Sequence, residues 1–303
     1  MDRRRRRTLA IVLLAGVLLA GGALWSGIRA RQQFSDPRYL LSRFPAEDAL
    51  VLSADFATLR RAGLLTASKT PLEPDYKQFL DATGFDYKRD LDAVTISLSA
   101  SGNFFIARGR FDWNKLREYA AHQGGSCYEQ LCRLPGSTSE RHISFLPLSN
   151  DTIALAVGAS DLEATRLTRA GDPVTTPLPT APVWLSVPGA ELRKQGALPP
   201  NLRLMLSSLA NADRIVVAIG PVAQGIEAHL EANCRTADDA KILASQLRVT
   251  AAALKEAVAK DKEARNDELT VMLAAGNFEQ TGVKVIGSWP VQKSLLDALT
   301  AGI

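Results

Sequence analysis

Histidine, cysteine and methionine are scarce, with three of each in 303 residues, and aromatic side chains make up only 6% of the chain. The three histidines have no serine or aspartate beside them in a recognisable catalytic motif, and no serine occupies a Gly-x-Ser-x-Gly elbow. The sequence therefore nominates no catalytic residue and no cofactor. Phosphate-binding loops are missing too: the segment 220–225, Gly-Pro-Val-Ala-Gln-Gly, has neither the Lys nor the Ser/Thr of that motif and reads as a hairpin turn. Excess charge is also lacking once it is located. The net charge of +4 sits in residues 1–28, where Arg3, Arg4, Arg5, Arg6 and Arg7 face only Asp2, so residues 29–303 sum to zero. A neutral body has no general attraction for phosphate, which argues against nucleic acid as a partner. What the chain does have is 46% hydrophobic residues against 22% charged, enough to bury a large core and to exclude global disorder.

No charge interrupts residues 8–28, and the run is apolar on every helical face. Twenty-one residues as a helix reach roughly 30 Å, the thickness of a bilayer's hydrocarbon core. Five arginines before the run, against Arg29 and Arg31 after it, keep the N-terminus in the cytoplasm and send the rest across a bacterial inner membrane. The reading is a single-pass transmembrane anchor, residues 1–31 including the Arg cluster, with a periplasmic body. A cleaved signal peptide ending near Gly21-Gly22-Ala23 is the alternative, and both readings export the body. The lipid bilayer is thus the first expected partner.

In an exported body, Cys127 and Cys132, five positions apart in a glycine-rich segment, are expected to form a disulfide. Together with His122 and His142 they also offer a set for tetrahedral zinc, but zinc needs reduced thiolates and export predicts their oxidation. The expectation is a disulfide and no metal. Cys234 is left as a buried hydrophobe.

Residues 32–43 read as a polar tether. Residues 171–182 hold four prolines in twelve positions and read as a linker between two pieces, 44–170 and 183–303. The pieces share an order of elements. Each opens with a strand, at 49–53 and 183–187, followed by a short helix stopped by glycine, at 55–63 and 189–196. A further helix comes at 76–83 and 201–209. Two alternating strands follow, at 93–99 with 104–111 and at 214–219 with 225–232. Next come helices starting at Asp112 and at Thr236, the latter with Asp239 in the reciprocal capping position. Two more strands close each piece, at 143–148 with 152–157 and at 269–274 with 283–286, before a last short helix at 161–167 or 292–299. The fold class is α+β: two similar repeats of antiparallel sheet plus helices on one side. Within the second repeat Leu243, Leu247, Thr250, Leu254 and Ala257 draw one apolar stripe, the core face of the longest helix.

Glu227, His229 and Glu231 alternate with Ile226, Ala228, Leu230 and Ala232, so three polar side chains leave one face of a strand about 7 Å apart. They are either a solvated sheet face or a ligand-binding wall. The segment Phe44-Pro45-Ala46-Glu47-Asp48-Ala49, leading into a strand and the helix with Leu59-Arg60-Arg61-Ala62-Gly63, resembles a group of uncharacterised bacterial membrane-anchored envelope proteins. That resemblance implies an exported, tethered protein and supplies no activity. The sequence thus points to a non-enzymatic binding or assembly module for an unidentified envelope protein or ligand. The alternative is a periplasmic hydrolase with its site between the two repeats, betrayed by a pocket with converging polar groups.

Overall fold

A computed structural model describes residues 36–45, 48–65, 73–172, 174–175, 177–193, 209, 211–223 and 225–294. The strands are β1 Leu50–Ala54, β2 Leu91–Ser99, β3 Gly102–Gly109, β4 Ser126–Tyr128, β5 Leu131–Pro135, β6 His142–Ser149, β7 Thr152–Gly158, β8 Val183–Pro188, β9 Arg214–Val222, β10 Gly225–Asn233, β11 Asn277–Thr281 and β12 Lys284–Val291. They form one antiparallel sheet in the order β11-β12-β10-β9-β8-β1-β2-β3-β7-β6-β5-β4. With its helices this is a mixed α+β fold. No helix among the described residues is long and apolar enough to cross a membrane, and the apolar run 8–28 lies outside them.

The proline-rich stretch does not separate two bodies. β1 pairs with β8 through Val51↔Ser186 to Ala54↔Val183, so the sheet runs unbroken across the junction. In the first half the strands stand as β1-β2-β3-β7-β6, with the β5-β4 hairpin added at the edge; in the second they stand as β8-β9-β10-β12-β11.

Alternation sorts the side chains onto two faces. On one face Phe145 and Ile153 meet Leu116 and Ala120 of the helix Trp113–His122. On that same side of the second half Ile215, Leu230, Val285 and Phe278 lie beneath Leu243 and Leu247 of the helix Ala237–Lys260. Both helices begin as the sequence indicates, Asp112 and Thr236 accepting from the first-turn amides. The second face of the first half is covered as well, which the expectation of helices on one side missed. There Phe104, Ile106, Leu146 and Ala156 pack with Leu40, Phe44 and Leu167.

Leu40 belongs to what reads in sequence as tether, and Phe44 is the first residue after it. Pro37–Leu41 is instead a helix capped by Asp36, whose carboxylate accepts from the Arg38 amide, and Leu40 is buried. Three further expectations change. Residues 269–274 are not a strand but lie in the helix Glu268–Ala274, because Asp267 caps it by accepting from the Leu269 amide and the Thr270 hydroxyl. Leu273 then enters the core with Leu269 and Met272 packed against it, a helical spacing that a short apolar run hides. The closing hairpin is β11–β12, turning at Gly282 with φ of 61°. Gly220 and Pro221 do not turn either, since β9 runs on to Val222. The short element at 161–167 is a 3-10 helix at Glu163–Thr168. The helices expected at 201–209 and 292–299 lie almost wholly outside the described residues.

Candidate functional site: a pocket on the sheet at its central seam

The register across the four central strands aligns Ser97, Val51, Ser186 and Val216 in one row. The next row holds Thr95, Ser53, Trp184 and Ala218. Period two sends all eight side chains to the face that carries Phe104 and Ile106. Ser53 and Thr95 satisfy each other, hydroxyl to hydroxyl at 3.3 Å, leaving that buried part of the floor without an open polar group.

Above this floor stand two walls. One runs from the end of the helix Pro37–Leu41 into the segment that follows, presenting Leu41 and Phe44. The other is the stretch between the 3-10 helix and β8, presenting Val174, Leu178 and Pro179, so the expected linker becomes a side of the site. The walls are joined to each other: the Gly171 amide donates to the Ser42 carbonyl at 2.6 Å, and Arg43 reaches the carbonyls of Leu167 and Thr168. The second wall is moored to the sheet by the Asp55 amide, which donates to the Pro182 carbonyl. They enclose a half-open cavity of about 610 Å³, within the range of small-molecule sites.

Polar groups are confined to particular places. Arg166, Arg169 and Asp172 are exposed lining residues, and Arg214 is partly exposed. Arg166 pairs with Glu163 at 3.1 Å, and its guanidinium lies 5.1 Å from the Phe104 ring centre. Arg214 donates to Ser186 Oγ at 3.0 Å and to Asp48 at 2.8 Å. The lining serines are Ser42, Ser97 and Ser186; Ser42 donates to the Tyr39 carbonyl. No histidine or cysteine lines the cavity among the described residues, so no serine there has a nitrogen base beside it.

The residues expected from sequence fall near the cavity and outside it. Glu227, His229 and Glu231 do share one face of β10, and the pairings Glu231↔Val216 and His229↔Ala218 put them on the same sheet face as the floor, one strand further out. Glu231 is engaged by Lys284 at 2.6 Å, and His229 Nε2 stands 3.6 Å from Glu227. Cys127 and Cys132 are joined across the β4–β5 pair, with Cα atoms 4.0 Å apart. Cys132 is fully buried against the first-half core. Joined sulfurs are not thiolates, and among the described residues no group of three His, Cys, Asp or Glu side chains could hold a metal. Cys234 is buried, and burial pushes its thiol up.

The most displaced carboxyl lies elsewhere. Asp90 accepts hydrogen bonds from Arg89, which hold its carboxyl down at about 2; burial opposes this, while the Asp86 amide and Arg110 add to it. Its surroundings are structural: Arg110 N–H donates to the Asp90 carbonyl, and a Cβ at Gly109 would sit 2.4 Å from that oxygen. Such a network perturbs a carboxylate without making a reactive site.

The sequence offered a site between the two repeats, where the cavity lies, but named none of its lining residues, because they lie more than a hundred positions apart. The one legible element was the alternation of β1, β2, β8 and β9.

No family model and no curated protein matches the chain. Among solved structures it is similar to crystal form IV of TP0453, at 11% identity and a TM-score of 0.43, covering 86% of this chain and 96% of that one. Crystal form I of the same protein gives 10% identity and 0.44, with the same coverage, and crystal form III gives 10% and 0.44, covering 87% and 98%.

Proposed function

We propose that this chain is an exported, membrane-anchored envelope protein whose body holds a ligand in the seam pocket without turning it over. The observation that carries the reading is the chemistry of that pocket: a floor of alternating apolar and hydroxyl side chains, apolar walls, arginines among its exposed lining, and no serine paired with a base among the described residues. Native mass spectrometry of the full chain, extracted from membranes in mild detergent, should find a small molecule bound one to one and released unaltered on denaturation. Release of cleaved fragments, or an acyl adduct on a pocket serine, would establish the hydrolase reading instead.

Export and anchoring rest on the sequence: the arginines at 3–7 ahead of an uncharged run of twenty-one residues favour an N-terminus in the cytoplasm and a body in the periplasm. A reporter active only outside the cytoplasm, fused after Ile303, should be active, with the protein fractionating in membranes at full length. A reporter active only inside overturns this topology, and a soluble form beginning near Leu24 would show a cleaved signal. We also infer that the body is an internal duplication. With the β4–β5 hairpin set aside, the strand orders β1-β2-β3-β7-β6 and β8-β9-β10-β12-β11 are the same when each half is counted along the chain, and the hairpins β2–β3 and β9–β10 are each followed by a helix on the same side of the sheet.

A further inference from the structure

We infer that the seam pocket takes a single-chain amphiphile with an anionic head, a long-chain acyl carboxylate, its tail along the sheet and its head among the arginines. This rests on the binding reading above and adds the ligand's chemical class. The floor crosses four strands, from Ser97 on β2 to Val216 on β9. At about 4.8 Å between strands that makes a trough roughly 14 Å across, suited to an elongated body. Val51, Trp184, Val216, Leu41, Phe44 and Leu178 give it apolar sides, which favour a tail by displacing water from hydrocarbon on both partners.

The head is specified by charge and by its location. Arg166, Arg169 and Arg214 line the outer part, and Asp172 is the one carboxylate in the lining among the described residues. Glu163 and Asp48 engage Arg166 and Arg214 from outside the lining, whereas Arg169 makes no ion pair within the described residues. Guanidinium presents paired donors that match a carboxylate. Arg43 is not available for this role, because its two terminal nitrogens already donate to the Leu167 and Thr168 carbonyls and to the Tyr39 hydroxyl. The polar row Glu227, His229 and Glu231 lies beyond β9, where Glu227 disfavours an anion and Lys284 already engages Glu231.

The test uses the full chain in its membrane, with a diazirine-bearing long-chain acyl carboxylate and its methyl ester as photoprobes and adducts mapped by peptide mass spectrometry. The acid should label peptides from 41–45, 174–186 and 214–218, unlabelled acid should compete, and the ester should label them about tenfold less at equal concentration. Changing Arg169→Gln with Arg214→Gln should lower labelling by the acid about tenfold and leave the ester unchanged, so that the ester reports that the variant is folded. Val216→Trp should remove labelling by both. Equal labelling by acid and ester, unaffected by the arginine changes, overturns the anionic head and leaves the binding reading standing. Absence of pocket adducts while native mass spectrometry still finds a retained molecule overturns the amphiphile alone. Absence of both overturns the two readings together.

Discussion

Replacing Leu247 with alanine should lower the unfolding free energy by about 3 kcal/mol, measured by denaturant titration, and bring the melting temperature down by about 10 °C. Leu247 is fully buried midway along the helix Ala237–Lys260, between that helix and a sheet surface built from Ile215, Leu230 and Val285. The helix cannot close over the missing atoms, because it is fixed on both sides: its end is capped by Thr236, and Arg248 one residue on donates to the Phe278 carbonyl at 3.1 Å. A cavity therefore adds to the lost transfer free energy. Val249, two positions along on the same helix, is exposed, and Val249→Ala should change stability by less than about 0.5 kcal/mol. Equal losses at the two positions would mean that the helix does not lie on the sheet by this face.

The contrast between those positions is readable in the sequence. Leu243, Leu247, Thr250 and Leu254 are all buried as their spacing requires. Ala257, the fifth member, is exposed, and Val258 is partly buried in its place. Steps of four, three, four and three average 3.5 residues, whereas the straight helix turns every 3.6, so the stripe drifts around the helix until its last member leaves the core. Strand alternation was legible at β2, β3, β9 and β10, and β6 and β7 were legible as strands although both of their faces are covered. It failed at 269–274, whose apolar residues fit strand and helix alike and whose state is decided by the Asp267 cap.

The site was much less legible, for a reason of distance. Val51, Trp184 and Val216 become neighbours only when β1 meets β8, a pairing between residues 129 to 135 positions apart that no local pattern encodes. Glu227, His229 and Glu231 attracted attention because their chemistry is local and periodic, and they did prove to share the face of the cavity, one strand beyond it. The prolines at 177, 179 and 182 signalled a break in regular structure correctly, but not its use. A chain that can join neither helix nor sheet interior is free to cross the sheet and close a pocket against it.

Arg43 shows how far a side chain's role can lie from its sequence context, and changing it should have the second large effect. In a stretch that reads as tether, its Nη1 donates to the Leu167 carbonyl at 2.9 Å and to the Thr168 carbonyl at 2.8 Å, while Nη2 donates to the Tyr39 hydroxyl at 2.6 Å. The guanidinium also lies 4.8 Å from the centre of the Tyr39 ring. These contacts lock the segment bearing Leu40 and Phe44 onto the 3-10 helix and hold the two pocket walls at a fixed separation. Arg43→Ala removes every donor of the fork and leaves the buried Leu167 carbonyl without one of its partners, so unfolding should become easier by about 2–4 kcal/mol. Arg43→Lys should recover only part of this, because a single ammonium lacks the planar fork that spans two carbonyls and a hydroxyl. Limited proteolysis at Arg38 and Lys or Arg sites beyond it should accelerate in the alanine variant before global unfolding, and the molecule retained in native mass spectra should be lost at the same time. If Arg43→Ala leaves stability within about 0.5 kcal/mol and the retained molecule in place, the segment is not part of the pocket and the wall must be sought elsewhere.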